Sequence, residues 1–195
     1  MPRVLAVCTG NVCRSPLTAV LLRARIADPR LSIASAGVRA LTGSPFDAAT
    51  ARVAREHGAR EEHIVAHRAR QLRPADLGRA DLVLALSRGH RRGAVETDPS
   101  VLRSVFTLRE FARLARAADD DALSDAASRA VGPSARLREL LLLLDGLRDV
   151  AGLPADREDD VVDPHGRPDP VHEMAGAQIA PAVDQVVRVL RAALS

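Results

Sequence analysis

The strongest constraint on the fold lies at residues 4–16, Val-Leu-Ala-Val-Cys-Thr-Gly-Asn-Val-Cys-Arg-Ser-Pro. The apolar run Val4 to Val7 has the length and residue types of a buried strand. It ends at Cys8, and Ser15-Pro16 supplies a helix N-cap followed by proline at the first helical position. From there Leu17, Val20, Leu21 and Ala24 share one helical face. A loop carrying Cys8, Gly10, Asn11 and Arg14 is thereby confined between a strand end and a helix N-terminus. Backbone N–H donors and the positive end of the helix dipole collect at such a place, and it suits an anion.

The spacing sets the chemistry. Cys8 and Arg14 bracket five residues, enough to wrap one tetrahedral oxyanion, with amides pointing inward and the guanidinium forking two oxygens. The positive field of such a loop favours the thiolate of Cys8, and Ser15 can donate a hydrogen bond to the sulfur. A nucleophile, an oxyanion cradle and a cationic clamp within eight residues describe phosphate-ester cleavage through a cysteinyl phosphate. Reading Cys8 and Cys13 as two small apolar residues beside a turn would leave Gly10, Asn11 and Arg14 without a purpose. A second thiol in the loop, Cys13, can also trap an oxidised Cys8 as a disulfide.

Residues Cys8-Thr9-Gly10-Asn11-Val12-Cys13-Arg14-Ser15-Pro16 resemble the phosphate-binding loop of the low-molecular-weight protein tyrosine phosphatases of bacterial type. Ser35-Ala36-Gly37-Val38, Gly43-Ser44-Pro45, Ala66 to Leu72, Ala80 to Leu84 and Val105 to Leu108 resemble family segments in family order. The resemblance implies Cys8 as nucleophile, Arg14 as phosphate clamp, and Thr9, Gly10, Asn11, Val12, Cys13, Arg14 and Ser15 as phosphate-binding residues. It implies a hydrogen-bond network of Asn11, Ser15, Ser35 and His67 that holds the loop in shape. Val161-Val162-Asp163-Pro164-His165-Gly166 resembles the family's acid loop, with Asp163 as general acid and then base. Asp169-Pro170 reads instead as the N-cap and first position of the last helix, followed by Val171, Met174 and Ala177. The implied activity is hydrolysis of phosphotyrosine in a phosphorylated protein substrate, with no cofactor and no metal. His63 and His67 are four positions apart but lack a third ligand at metal spacing.

Two departures touch the substrate. His165 stands where the family has an aromatic, and Arg39-Ala40-Leu41 replaces an aromatic wall after the second strand. With neither Tyr nor Trp in the chain, Phe46 is the aromatic expected to line a pocket. Alternatives on the same scaffold are a phosphoarginine phosphatase and an arsenate reductase. The former subgroup typically has threonine where this chain has Val12, and the thioredoxin-coupled reductases need cysteines beyond Cys13. A non-catalytic phosphate-binding or partner module would require neither nucleophile nor acid.

The rest of the chain alternates strands and helices. Leu31 to Ser35 is a second strand closing at Ala36-Gly37, and Pro45 opens a helix to about Glu56, with Ala49, Val53 and Ala54 inward and His57-Gly58 ending it. Pro74 starts a short helical turn. Asp81 to Leu86 is a buried strand with Ser87 capping the next helix, and Val105 to Leu108 is the fourth strand, leading into a helix from Arg109. This order predicts a single doubly wound α/β domain over 1–195, with a four-stranded parallel sheet flanked by helices. The family is usually shorter between about 112 and 160. There Gly132-Pro133-Ser134 announces a helix with Leu137, Leu140, Leu141, Leu144 and Leu147 on one side, packing on the core as an insertion, and Leu142 and Leu143 are candidates for a partner surface. Asp119-Asp120-Asp121 and Arg157-Glu158-Asp159-Asp160 read as solvated loops. Val183, Val186, Val187 and Leu190 form the buried face of the last helix, with a bend expected at Pro181.

Composition excludes several classes. Every basic residue is arginine, the net charge is only +3, and aromatics are 2% of the chain, which argues against a nucleic-acid partner. The longest apolar run, Leu140 to Leu144, is far below a membrane span, and the N-terminus lacks a secretory signal pattern. Two cysteines five positions apart make no extracellular disulfide framework, so the expected setting is a reducing cytoplasm. Oligomeric state is left open.

Overall fold

The computed structural model describes residues 1–149 and 158–195. Strands β1 (Arg3–Cys8), β2 (Ser32–Gly37), β3 (Leu82–Ala85) and β4 (Val105–Thr107) pair in the order β2-β1-β3-β4, all parallel. Both faces are covered, as an all-parallel sheet requires. One face packs Val4, Ala6, Leu82, Leu84 and Phe106 into the larger core, and the other packs Leu5, Val7, Val83, Ala85 and Val105 into the smaller. The alternation along each strand sends successive side chains to opposite cores. Because β1 is central, its carboxyl end lies where the chain connections diverge, which is where this architecture binds ligands.

Helix α1 (Arg14–Arg25) follows the loop directly. It begins two residues earlier than Ser15-Pro16 suggested: Cys13 is the N-cap and has no side-chain cap bond. The first-turn amides are thus left for a ligand rather than for a capping oxygen. Helix α2 (Ala48–Glu56) starts three residues after Pro45, because Asp47 accepts from Thr50 N at 2.9 Å and is the cap. Its buried residues are Thr50, Ala51, Val53 and Ala54, with Ala49 only half-buried. His57 and Gly58 end it, the glycine at φ 83°. Short helices α3 (Glu61–Val65) and α4 (Pro74–Leu77) lead to β3, and Ser87 caps α5 (Arg88–Thr97). Thr107 and Glu110 form a capping box at the start of α6 (Leu108–Ala117).

The acidic run at 119–121 is helical rather than a solvated loop. Asp119 caps α7 (Asp120–Ser128), accepting from Ala122 N at 2.7 Å. Asp120 and Asp121 occupy the first turn, where negative charge suits the helix dipole. Helix α8 (Pro133–Gly146) buries Leu137, Leu140, Leu141 and Leu144 in the larger core, joined by Leu123 and Ala126 of α7. Leu143 packs partly against that core and Leu142 is exposed. Asp159 and Asp160 also leave the expected solvated class. Asp159 is buried and pairs with Arg113 at 3.2 Å, while Asp160 accepts from Arg88 N at 2.7 Å. Arg157, read with them, lies outside the described residues.

Helix α9 (Asp169–Leu194) runs through Pro181 as one element. Asp169 is its first residue rather than its cap, with no side-chain cap bond, and it pairs with Arg52 at 2.9 Å. The inward face at its start is His172, Ala175, Gly176 and Ile179, one position out of phase with Val171, Met174 and Ala177. Gly176 is required there, because a Cβ would meet Val53 Cγ1 at 2.4 Å. Val183, Val186, Val187 and Leu190 are buried as their spacing predicts. No helix among the described residues is long and apolar enough to cross a membrane.

Candidate active site

The loop from Cys8 to Ser15 is turned inside out relative to an ordinary connection. The carbonyls of Cys8, Thr9, Gly10, Asn11, Val12 and Cys13 accept from Val38 N, Arg39 N, Leu41 N, His67 Nε2, Asp47 N and Leu17 N at 2.8–3.0 Å. With every carbonyl bound on the outside, the amides are directed to the interior and make an anion nest. Asn11 sits at φ 57°, a conformation that needs holding in place. Its side chain donates to Ser15 Oγ and Ser35 Oγ, each at 2.9 Å, and accepts from Arg70 N at 2.9 Å. Its carbonyl accepts a hydrogen bond from His67 Nε2–H at 2.8 Å. Burial pushes the His67 imidazolium below its ordinary range, which keeps the ring neutral in this role. Gly37 lets β2 lie against the loop: a Cβ there would stand 2.4 Å from the Thr9 carbonyl oxygen.

Cys8 Sγ lies at the floor of the nest. It accepts from Asn11 N at 3.3 Å and lies 3.0 Å from Ser15 Oγ. Since Ser15 Oγ already accepts from Asn11 Nδ2, its own hydrogen is free for the sulfur or, at 3.4 Å, for the Ala36 carbonyl. Cys13 is a different kind of thiol. It is buried against Val12 and Ala69, and burial pushes it up to about 12. Arg14 is almost wholly buried; Nη1 donates to the Val161 carbonyl at 3.2 Å and Nη2 to Asp163 Oδ2 at 2.6 Å. The Asp163 segment is held by its own neighbours. Val161 N donates to Leu86 O at 3.0 Å, Val162 N to Gln178 Oε1 at 2.9 Å, and His165 N to Asp163 Oδ1 at 3.3 Å. Asp163 itself is half exposed.

Above the loop is a pocket of about 140 Å³ lined by Cys8, Arg14, Asp163, Arg39, Leu41 and His165 among others. Phe46 is not in it. Phe46 is buried edge-on against His67, with ring centroids 5.5 Å apart, so its area serves packing behind the loop. Leu41, 45% exposed, and His165 both line the pocket.

One buried group at the site carries no signal in local sequence. His90 Nε2 lies 2.8 Å from Thr9 Oγ1, and its Nδ1 lies 2.8 Å from Ser87 Oγ. Burial, and then the Arg14 cation, push His90 down to about 4. The Ser87 to His90 spacing signals only a helix cap; the partner Thr9 is 81 residues away. The unfolded chain takes up this proton near the ordinary value of 6.5, so the stability due to a neutral His90 is complete above that pH and is lost as pH falls towards about 4. Thermal midpoints should therefore drop across that window, and less steeply in His90→Gln. His67, shifted in the same direction, contributes to the slope that remains. An unchanged slope in His90→Gln would refute the assignment.

A family model described as low molecular weight phosphotyrosine protein phosphatase matches residues 3–125. The chain belongs to this family. A Ralstonia solanacearum protein named "Probable low molecular weight protein-tyrosine-phosphatase EpsP" is 41% identical over 108 residues, 55% of this chain and 71% of the relative. A protein-arginine-phosphatase of Geobacillus stearothermophilus is 39% identical over 109 residues, 56% of this chain and 70% of the relative. The solved YwlE arginine phosphatase from Geobacillus stearothermophilus aligns with 98% of this chain and 94% of its own, at a TM-score of 0.67 and 28% identity. Asp163 lies beyond the residues that the family model matches.

Proposed function

We propose that this phosphatase hydrolyses phosphotyrosine in protein substrates through a cysteinyl phosphate. The observation that carries this reading is that a distant carboxylate reaches the loop: Asp163 Oδ2 lies 2.6 Å from the guanidinium of Arg14, 149 residues away on the same loop that holds Cys8. Cys8 Sγ attacks phosphorus while the loop amides and Arg14 hold the non-bridging oxygens. Asp163 gives its proton to the departing phenolate. The resulting carboxylate takes a proton from the water that attacks the thiophosphate, and phosphate leaves as Ser15 donates to the returning thiolate. Asn11, Ser35 and His67 act by holding the loop. The two free thiols, Cys8 and Cys13, suit a reducing setting, and the cytoplasm is proposed on that ground.

Phosphoarginine is the competing substrate, favoured by the similarity to arginine phosphatases. Two features oppose it. Val12 offers no hydroxyl in the loop, and Arg39 lines the pocket where a guanidinium leaving group would pass. For a phenol ring the pocket offers the side chains of Leu41 and His165. Purified protein without added metal should be assayed on phosphotyrosine, phosphoserine and phosphoarginine peptides, and on arsenate with a thiol donor. Phosphotyrosine should lead phosphoarginine in kcat/KM by roughly tenfold, the scale of one like-charge contact at a half-exposed site. The reverse order overturns the substrate, and inactivity on every phosphopeptide overturns the phosphatase reading.

A further inference from the structure

We propose that Cys13, Asp47 and His165 form a binding site for one thiophilic divalent cation of the zinc class, and that filling it shuts the active site. The shutdown half rests on the proposed function; the binding half does not. One ligand atom from each residue lies within 4.8 Å of the other two. The three come from separate parts of the fold: the phosphate loop, the cap of α2 and the acid loop. In a tetrahedral zinc site, ligand atoms at about 2.0–2.3 Å from the metal stand roughly 3.3–3.8 Å apart. The required closure is about an ångström, and His165 can supply it, being exposed and followed by Gly166 at φ 68°.

The surroundings fit a cation. Asp47 makes its contacts through Oδ1, with Thr50 N at 2.9 Å, Thr50 Oγ1 at 3.0 Å and His172 Nδ1 at 3.3 Å. These fix the carboxylate while Oδ2 keeps its lone pairs, as outer partners do for metal ligands. Val12 and Ala69 pack with the buried Cys13 side chain. Asp47, Cys8 and Asp163 each disfavour a bare Cys13 thiolate electrostatically, and the same charges attract a cation. Binding forms the sulfur–metal bond and releases the Cys13 proton to solvent. His63 and His67, the pair with metal-like spacing in sequence, are not in the cluster, and His67 is committed to the Asn11 carbonyl.

The consequence follows from position. Cys13 and His165 both line the pocket above Cys8, and His165 is two residues from Asp163. A metal joining them would pin the acid loop to the phosphate loop and place its fourth position in the path of the substrate.

Cobalt(II) titration of the full chain, in a non-chelating reductant, tests the site without reference to activity. One equivalent should produce a thiolate-to-cobalt charge-transfer band that survives in Cys8→Ser and is lost in Cys13→Ser. Zinc affinity, read by competition with a chromophoric chelator, should fall tenfold or more in His165→Asn and in Asp47→Asn, the latter keeping its helix cap. The zinc concentration that halves phosphatase activity should move in parallel. A band lost in Cys8→Ser and kept in Cys13→Ser would put the metal on the other thiol and overturn the proposal, as would zinc affinity indifferent to both His165→Asn and Asp47→Asn. Binding as expected with activity undiminished would overturn the shutdown alone. Binding as expected in a protein inactive on every phosphopeptide would leave the site standing and remove the catalytic reading.

Discussion

Cys8→Ser should reduce turnover by a factor on the order of 10⁴ or more while leaving inorganic phosphate affinity within about tenfold. The two effects separate because different atoms carry them. The cradle is backbone amide plus Arg14, and its shape is enforced by the Asn11 side chain on Ser15, Ser35 and Arg70 and by the six carbonyl contacts, none of which is made through the sulfur. Attack needs an anionic nucleophile, and a serine hydroxyl in the same place is un-ionised at neutral pH. The replacement keeps a partner for Ser15 and Asn11 N, so the loop keeps its hydrogen bonds. Calorimetric titration with phosphate and steady-state turnover of a phosphotyrosine peptide check the two halves. Undiminished turnover removes the cysteinyl phosphate. A collapse of phosphate binding would mean that the sulfur itself organises the nest.

The strand–loop–helix unit was legible because its signals are contiguous: an apolar run, a glycine and asparagine where the chain must turn, an arginine, then a helical face. Chemistry and backbone conformation demand the same residues there. Ser15 was misread as a cap because serine before proline is a local pattern that a tertiary role can override. Its hydroxyl is taken by Asn11 and Cys8 instead. Acidic runs were ambiguous for a physical reason. Asp119 to Asp121 suit a solvated loop and a helix first turn equally well, and Asp159 looks solvated until Arg113, 46 residues away, is brought to it. Phe46 shows how packing competes with function: an aromatic near the site was expected in the pocket, but the space behind His67 needed filling. His90 and the Cys13, Asp47 and His165 cluster could not be read at all, since their partners meet only once the sheet and α9 have set three loops side by side.

Asp163→Asn should separate substrates by leaving group. An unactivated phenol departs as an anion with pKa near 10 and needs its proton as the P–O bond breaks, whereas a nitrophenolate near 7 scarcely does. General acid catalysis contributes about 10²–10⁴-fold, so the variant should lose that factor on phenyl phosphate and little on nitrophenyl phosphate. Phosphate affinity should move the other way. Asp163 holds Arg14 Nη2 at 2.6 Å, and an entering oxyanion must compete with that carboxylate for the guanidinium. Neutral asparagine competes less, so phosphate should bind the variant more tightly. Asp169→Asn serves as the control. Asp169 begins α9 and pairs with Arg52 between exposed side chains, so its kinetics should be near wild type. Leaving-group dependence in Asp169→Asn and not in Asp163→Asn would transfer the acid to the α9 start. Unchanged phosphate affinity in Asp163→Asn would mean that the ion pair with Arg14 is not what a substrate displaces.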